Sequence, residues 1–370
     1  MFAWYGLQGG VHDVEGFRIY PGMADAYGND IIQQHMRDWR ANVLISLIDV
    51  WVMHDTAKKI APALWLPWLP IDHDPVPAKV LESLEGAYLP LTYAKWGHQM
   101  LTAAGVENVY IPHGIEPNVF NVIQDDDWRK DFRKRYFRDC SHLTVMVAAN
   151  KGFPDRKAFQ VQLRAWAAFA EDKPGALLYI HTEPSTMYGG IDFHAMIRGL
   201  GIYHKVIFPE RYSYQMGLPA TLLAQIYNCA DMYLGAAMSE GFGIPIIEAQ
   251  ACGVPVVVTD FSAMPELVRW GHAVKPADKF WTPLNSWQAW PDVKGITHAL
   301  NVLYGEWQEK GGVWPMANRL YAQDQIHGEY DWDTIVREQW QPLISRLESA
   351  IDERAEEAEK ELAFAGASLE

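Results

Sequence analysis

Between Ser141 and Gly271 short apolar runs alternate with stretches of helical length, and few folds tolerate that pattern. Leu143 to Ala149 (LTVMVAA) is continuously apolar, as expected of a strand buried on both faces. Arg156 to Ala170 follows, with Phe159, Leu163, Trp166 and Ala170 on one helical face. Then come a strand at Ala176–Ile180, a helix near Ile191–Leu200 and a strand at Val206–Phe208. A helix at Pro219–Cys229 leads into the strand Met232–Ala236, and a helix opening at Pro245 into the strand Pro255–Thr259. Such alternation predicts a doubly wound parallel sheet with helices on both faces.

The first third is α/β as well. Strands are expected at Val43–Ile48, Leu64–Leu69, Gly86–Leu91 and Val109–Ile111, with helices near Ile31–Trp39 and Lys95–Ala104. With 370 residues there is room for two cores. The expected division is an N-terminal domain over 1–120, a charged connection over 121–140, a second domain over 141–325 and a helical, charged tail over 326–370.

The most informative stretch runs from Ser239 to Ala249 (SEGFGIPIIEA), directly after a predicted strand. Gly241 and Gly243 allow a tight turn and close approach to a ligand. Pro245 suits the first turn of a helix, where its missing N–H costs nothing. The N–H groups of Phe242, Gly243 and Ile244 then point outward at the positive end of the helix, a seat for phosphate. Glu240 and Glu248 fall where both carboxylates can face one cleft and accept hydroxyl hydrogen bonds. Lys151 ends the first strand of the same sheet and Arg156-Lys157 opens the next helix, so Lys151 and Lys157 are placed to reach a diphosphate there. Each of these features also fits a plain structural role, as a turn, a helix-dipole partner or a solvated surface charge.

Taken together, Glu240-Gly-Phe-Gly-Ile-Pro with Glu248, the run Glu248 to Asp260 (EAQACGVPVVVTD), Pro265-Glu266-Leu267 and Ile111-Pro-His-Gly-Ile-Glu116 with Phe120 resemble the group 1 glycosyltransferases. These are retaining enzymes of family four with the GT-B fold: two facing Rossmann-like domains, a cleft between them, and a C-terminal helix returning to the first. The resemblance covers about Leu44 to Trp340. It implies that Glu240 contacts the donor sugar, that Glu248 contacts the ribose, and that Lys151 and Lys157 hold the diphosphate. Lys151 stands where many members have arginine, keeping charge but losing bidentate geometry. The implied donor is UDP- or GDP-linked, with no cofactor and no obligatory metal, and base contacts are expected near Pro209–Tyr214. The acceptor is a saccharide, a lipid-linked sugar or a protein.

The acceptor side offers Asp49 at one strand end and Asp72 and His73 after another, with His113 as a further candidate. Asp-Pro and His-Asp clusters equally cap turns. Val11–Tyr20 reads as extended chain with a turn at Glu15-Gly16, and Met1–Gly10 does not supply the family's usual first strand, glycine loop and helix. That points to a shortened N-terminal lobe, open to completion by a partner chain or oligomer. A non-catalytic nucleotide-sugar binder of the same fold is the alternative reading.

Composition narrows the rest. A formal charge of −15 argues against a broad face for nucleic acid or anionic membrane. Every long apolar run is broken within a dozen residues, which argues against a membrane-spanning helix. Three scattered cysteines, Cys140, Cys229 and Cys252, suggest neither a disulfide framework nor a metal site, and so a reducing, cytoplasmic setting.

Overall fold

The computed structural model describes residues 10–138, 140–152 and 155–367. Two parallel sheets make the frame. The first has the order β3 (Val43–Leu47), β4 (Leu64–Leu69), β5 (Leu91–Thr92), β6 (Val109–Tyr110); two earlier strands, β1 (His12–Val14) and β2 (Phe17–Ile19), stand apart as a hairpin. The second is six-stranded, β12-β11-β10-β7-β8-β9, with β7 (His142–Val147), β8 (Ala176–His181), β9 (Val206–Ile207), β10 (Met232–Gly235), β11 (Val256–Thr259) and β12 (Gly271–Val274). Chain order reverses direction between β7 and β10, which opens the crevice where ligands of doubly wound sheets sit. Together the two lobes are the two-domain α/β architecture that the alternating pattern predicts.

The sequence explains the strands. All six residues of β4 (LWLPWL) are buried, as a strand covered on both faces requires. Its two indoles find partners: Trp65 donates to Ser46 Oγ at 3.0 Å and Trp68 to the Ile111 carbonyl at 2.9 Å. Between the lobes, the predicted charged connection contains a helix, Asp126–Tyr136, capped by Asp125. Arg129 and Arg133 on this helix grip the buried Asp231 at 2.7 and 2.9 Å, and Asp231 also accepts the Leu143 N–H at 2.8 Å. One acid thereby ties the connecting helix to the base of β7 and β10.

Three expectations are corrected. The strand expected over Gly86–Leu91 shrinks to Leu91–Thr92, because Gly86 takes φ +78° in the turn ending a short helix, Ala78–Ser83. The helix expected from Arg156 begins at Phe159, since Ala158 at φ +50° forces a loop before it. A hairpin of β13 (Asp278–Trp281) and β14 (Trp287–Trp290) lies in a stretch where no strand was expected. Val11–Tyr20 does turn at Glu15-Gly16, as the isolated β1–β2 hairpin. The Met1–Gly10 reading falls almost wholly outside the described residues.

The lobes touch on several sides. Trp332 stacks on Trp68 with ring centres 6.3 Å apart, Trp340 meets the same ring edge-on at 5.1 Å, and the helix Gln341–Ala367 follows. Glu266 of the second lobe caps the N-terminus of the first-lobe helix Lys95–Ala103, accepting the Lys95 and Trp96 N–H groups at 2.8 and 2.9 Å. Lys95 and Arg269 both bind Glu329 beside it. On another side, Asp74 and Trp287 exchange backbone hydrogen bonds of 3.1 and 2.7 Å, joining the first lobe to β14. Among the described residues no helix is long and apolar enough to cross a membrane.

Candidate functional site

A cavity of about 1150 Å³ lies between the lobes, at the carboxyl ends of both sheets. It is large enough for two ligands rather than one. The first lobe contributes Asp49 after β3, Asp72 and His73 after β4, Tyr93 after β5 and His113 after β6. The second contributes Lys151, Arg156 and Lys157 after β7, His181 from β8 and Glu240 to Ile246 after β10.

The loop after β10 is shaped by its glycines. Gly243 sits at φ +113°, and a Cβ there would come within 2.8 Å of Ile246. At Gly241 a Cβ would come within 2.4 Å of Pro70, so the loop closes directly on the opposite lobe. The helix that follows, Ile244–Ala251, has Pro245 in its first turn. Phe242, Gly243 and Ile244 all line the cavity. Among the described residues their N–H groups make no hydrogen bond within the chain, which leaves three donors for an anion.

Charges alternate across the cleft. Glu240 accepts from Lys157 Nζ at 2.5 Å and from Arg156 at 3.4 Å. Arg156 also donates to the Ser239 carbonyl at 3.0 Å and stands 3.7 Å from Asp72 of the other lobe. Asp72 takes hydrogen bonds from His73 Nδ1 at 2.6 Å and Ser239 Oγ at 3.3 Å. Burial alone would raise Glu240, but the charges of Lys157 and Arg156 hold it below its ordinary value. Asp72 is likewise held low against burial, by the His73 hydrogen bond and charge and by Arg156. Asp49 moves the other way, pushed up by burial and by the nearby Asp72 charge. Burial pulls His113 down to about 4, so its ring is neutral near pH 7 among Trp68, Tyr93 and Phe242.

The structure gathers Asp49, Asp72, His73, His113, Lys151, Lys157, Glu240, Phe242, Gly243 and Ile244 around one cavity. Glu248 stands apart from the lining residues: half-buried one turn into the helix, it accepts the Tyr227 hydroxyl at 3.0 Å. Tyr233, a cavity wall residue, feels the charges of both Glu240 and Glu248. Arg156, which is not among the residues expected to hold the diphosphate, also lines the cavity. Its signal was its place beside Lys157, and its cross-cleft partner Asp72 lies 84 positions away. Nothing in the local sequence marked Thr282, Leu284 and Gln288 of the hairpin as cavity residues, and Gln288 donates to Ser239 Oγ at 2.7 Å.

Burial pushes Glu248 up to about 7 from an ordinary 4.5, against the opposing Tyr227 hydrogen bond. The stability this acid contributes is therefore complete below its unfolded value and is lost as pH rises through 7. Glu248→Gln is expected to be more stable than wild type at pH 8.5, by up to about 3 kcal/mol, with the gap closing toward pH 5. Thermal melts across that range test it, and equal melting at pH 8.5 would mean that the carboxylate is well solvated.

Comparison with known proteins matches residues 143–290 to the family described as glycosyl transferases group 1. Over 258 residues the chain is 27% identical to a GDP-mannose-dependent alpha-(1-6)-phosphatidylinositol monomannoside mannosyltransferase of Mycolicibacterium smegmatis, covering 67% of this chain and 56% of that protein. A D-inositol 3-phosphate glycosyltransferase of Rhodococcus erythropolis is 34% identical over 125 residues, 31% of this chain and 26% of the relative. The chain thus spans about a quarter to just over half the length of these relatives. Among solved structures, sucrose-phosphate synthase from Thermosynechococcus elongatus aligns with a TM-score of 0.69 at 15% identity, over 92% of this chain and 86% of that one. Anabaena HepE in complex with UDP aligns with a TM-score of 0.63 at 16% identity, over 88% and 85%. The fold is GT-B.

Proposed function

We propose that this chain, whose residues 143–290 are a group 1 glycosyltransferase domain within a GT-B frame, moves a sugar from a nucleoside diphosphate to an acceptor with retention at the anomeric carbon. The observation that carries this reading is the convergence, at the switch point of the second sheet, of Lys151, Arg156 and Lys157 with three backbone donors that have no partner among the described residues. Three N–H groups and three cations on one side of a cavity fit a diphosphate.

In this assignment residues 141–325 hold the donor, 1–120 the acceptor, 121–140 connect them, and 326–370 brace the two. The diphosphate rests on Phe242, Gly243 and Ile244 and on the two lysines, which neutralise the charge gathering on the departing oxygen. Glu240 faces the donor sugar; Glu248, which the resemblance assigns to the ribose, lies outside the cavity lining and against Tyr227. Positive charge grows at the anomeric carbon as the bond to phosphate breaks, and the ionised Glu240 and Asp72 favour it electrostatically. Both carboxylates are engaged by cations or by His73 rather than free to attack, which supports a front-face reaction. The acceptor hydroxyl then bonds to carbon from the side of the leaving group, and its proton passes to the departing phosphate oxygen. Asp49, His73 and His113 shape the acceptor side. The relatives' names include UDP complexes and GDP-mannose-dependent enzymes, so a UDP- or GDP-linked donor is the first to try.

Calorimetry and thermal shift with UDP, GDP and their sugar conjugates test this directly. A nucleotide at a hundred times its Kd is expected to raise stability by about 2.7 kcal/mol, and its sugar conjugate is expected to be slowly hydrolysed. Tight binding with no hydrolysis or transfer would identify a non-catalytic binder, and no binding by any nucleotide would remove the donor site.

A further inference from the structure

We propose that Gln288 is a positioning residue for sugar transfer: set in the second lobe's hairpin, it orients the Ser239 hydroxyl and, through it, holds Asp72 of the first lobe. This rests on the glycosyl-transfer reading above. Strand β14 (Trp287–Trp290) is placed for the task. Trp287 exchanges backbone hydrogen bonds with Asp74 of the first lobe, and two residues on, the Ala289 N–H donates to the Met238 carbonyl of the second at 3.3 Å. Gln288 stands between these two anchors, which are backbone contacts and do not depend on its side chain.

The hydrogen bonds run in one direction. Gln288 Nε2 donates to Ser239 Oγ at 2.7 Å, and Ser239 Oγ donates to Asp72 Oδ2 at 3.3 Å. A hydroxyl has one proton and two lone pairs. With one lone pair taken by the amide, the Ser239 proton is turned toward the carboxylate. Gln288 and Ser239 are both buried, so water replaces the amide poorly. The other Asp72 oxygen is held from its own lobe by His73 at 2.6 Å. Arg156 stands 3.7 Å from Asp72 and offers charge there, without the short contact that fixes a carboxylate's rotation. Ser239 therefore supplies the hydrogen bond by which the second lobe holds Asp72. It also directly precedes Glu240, so the same few atoms set the spacing of the two anions that favour charge at the anomeric carbon. Asp72 further faces Lys157, Asp49, Glu240 and Tyr93, and all of these neighbours stay in place when position 288 or 239 is changed.

The test is the pH dependence of UDP- and GDP-sugar hydrolysis by the full chain carrying Gln288→Met, Ser239→Ala or both. Gln288→Met keeps the length of the side chain and removes its donor. It is expected to lower kcat about tenfold and to leave KM within about twofold. Losing a hydrogen bond to the ionised form raises a carboxyl pKa, so the acid limb of kcat is expected to move up by about half a pH unit. Gln288→Glu, which draws the Ser239 proton to itself when ionised, is expected to move the limb further. In the Ser239→Ala background, Gln288→Met is expected to change neither kcat nor the limb again. An undiminished effect in that background would overturn the relay, because Gln288 would then act on the substrate directly from the cavity wall it lines. A lower kcat with an unshifted acid limb would reduce Gln288 to a structural part of the hairpin and overturn it too. If wild type turns over no nucleotide sugar, the transfer reading fails on its own. Urea melts of Gln288→Met, Asp72→Ala and the double variant then decide the relay: less-than-additive losses are expected, and additive ones would end it.

Discussion

Asparagine in place of Asp231 is expected to remove about 3–5 kcal/mol of stability, the range seen when one partner of a buried ion pair is deleted. Asp231 is fully buried, and it faces Arg129, Arg133, the Leu143 N–H and, at 3.7 Å, His142. The substitution keeps the shape and removes the charge. Two guanidinium groups are then left together in a site with little water, and an amide nitrogen must face other donors. Despite burial, the arginines hold Asp231 far below the usual carboxylate range. A depressed carboxyl contributes stability that is present above its unfolded value, near 4, and is lost only as pH falls through the folded one. Wild type is therefore expected to keep this contribution down to strongly acidic conditions, and the variant to lack it throughout. Urea melts at pH 7 decide the matter, and a loss under 1 kcal/mol would mean that the site relaxes around the neutral side chain.

On activity, Lys157→Ala is expected to have the largest effect. Deleting a group aimed at charge that develops in the transition state typically lowers kcat by about 10²–10³. Lys157 is mostly buried, lies against Glu240 and lines the cavity, so solvent replaces it poorly. The variant keeps Arg156 next to Glu240, and Glu240 should rise in pKa once its nearer cation is gone. Residual activity should then fall away at a higher pH on the acid side than it does in wild type. A kcat within tenfold of wild type, with an unshifted acid limb, would remove Lys157 from the reaction.

The second lobe was legible because of how its strands are buried. Strands such as His142–Val147 and Val256–Thr259 are covered on both faces, so they are written as mostly apolar runs. The cavity residues at their carboxyl ends followed from topology, and the glycine loop before Pro245 followed from local backbone chemistry. One misreading occurred where a residue took a left-handed conformation that its type does not announce, at Ala158. Glu248 illustrates another limit. Spacing puts it on the helix after the loop, but its hydroxyl partner comes from the preceding helix, through Tyr227. The hairpin Asp278–Trp290 was hidden for a similar reason: its docking partner, Asp74, is in the other lobe. Pairings across a cleft leave little trace in a local pattern, so Arg156 with Asp72 became visible only in three dimensions.

The capping of Lys95–Ala103 by Glu266 makes that helix the joint property of two bodies. Were the lobes to separate, two amides at its start would lose their acceptor and a carboxylate would be left without donors. Opening of the interlobe space and fraying of that first turn would consequently be coupled, so that steadying one would help to steady the other.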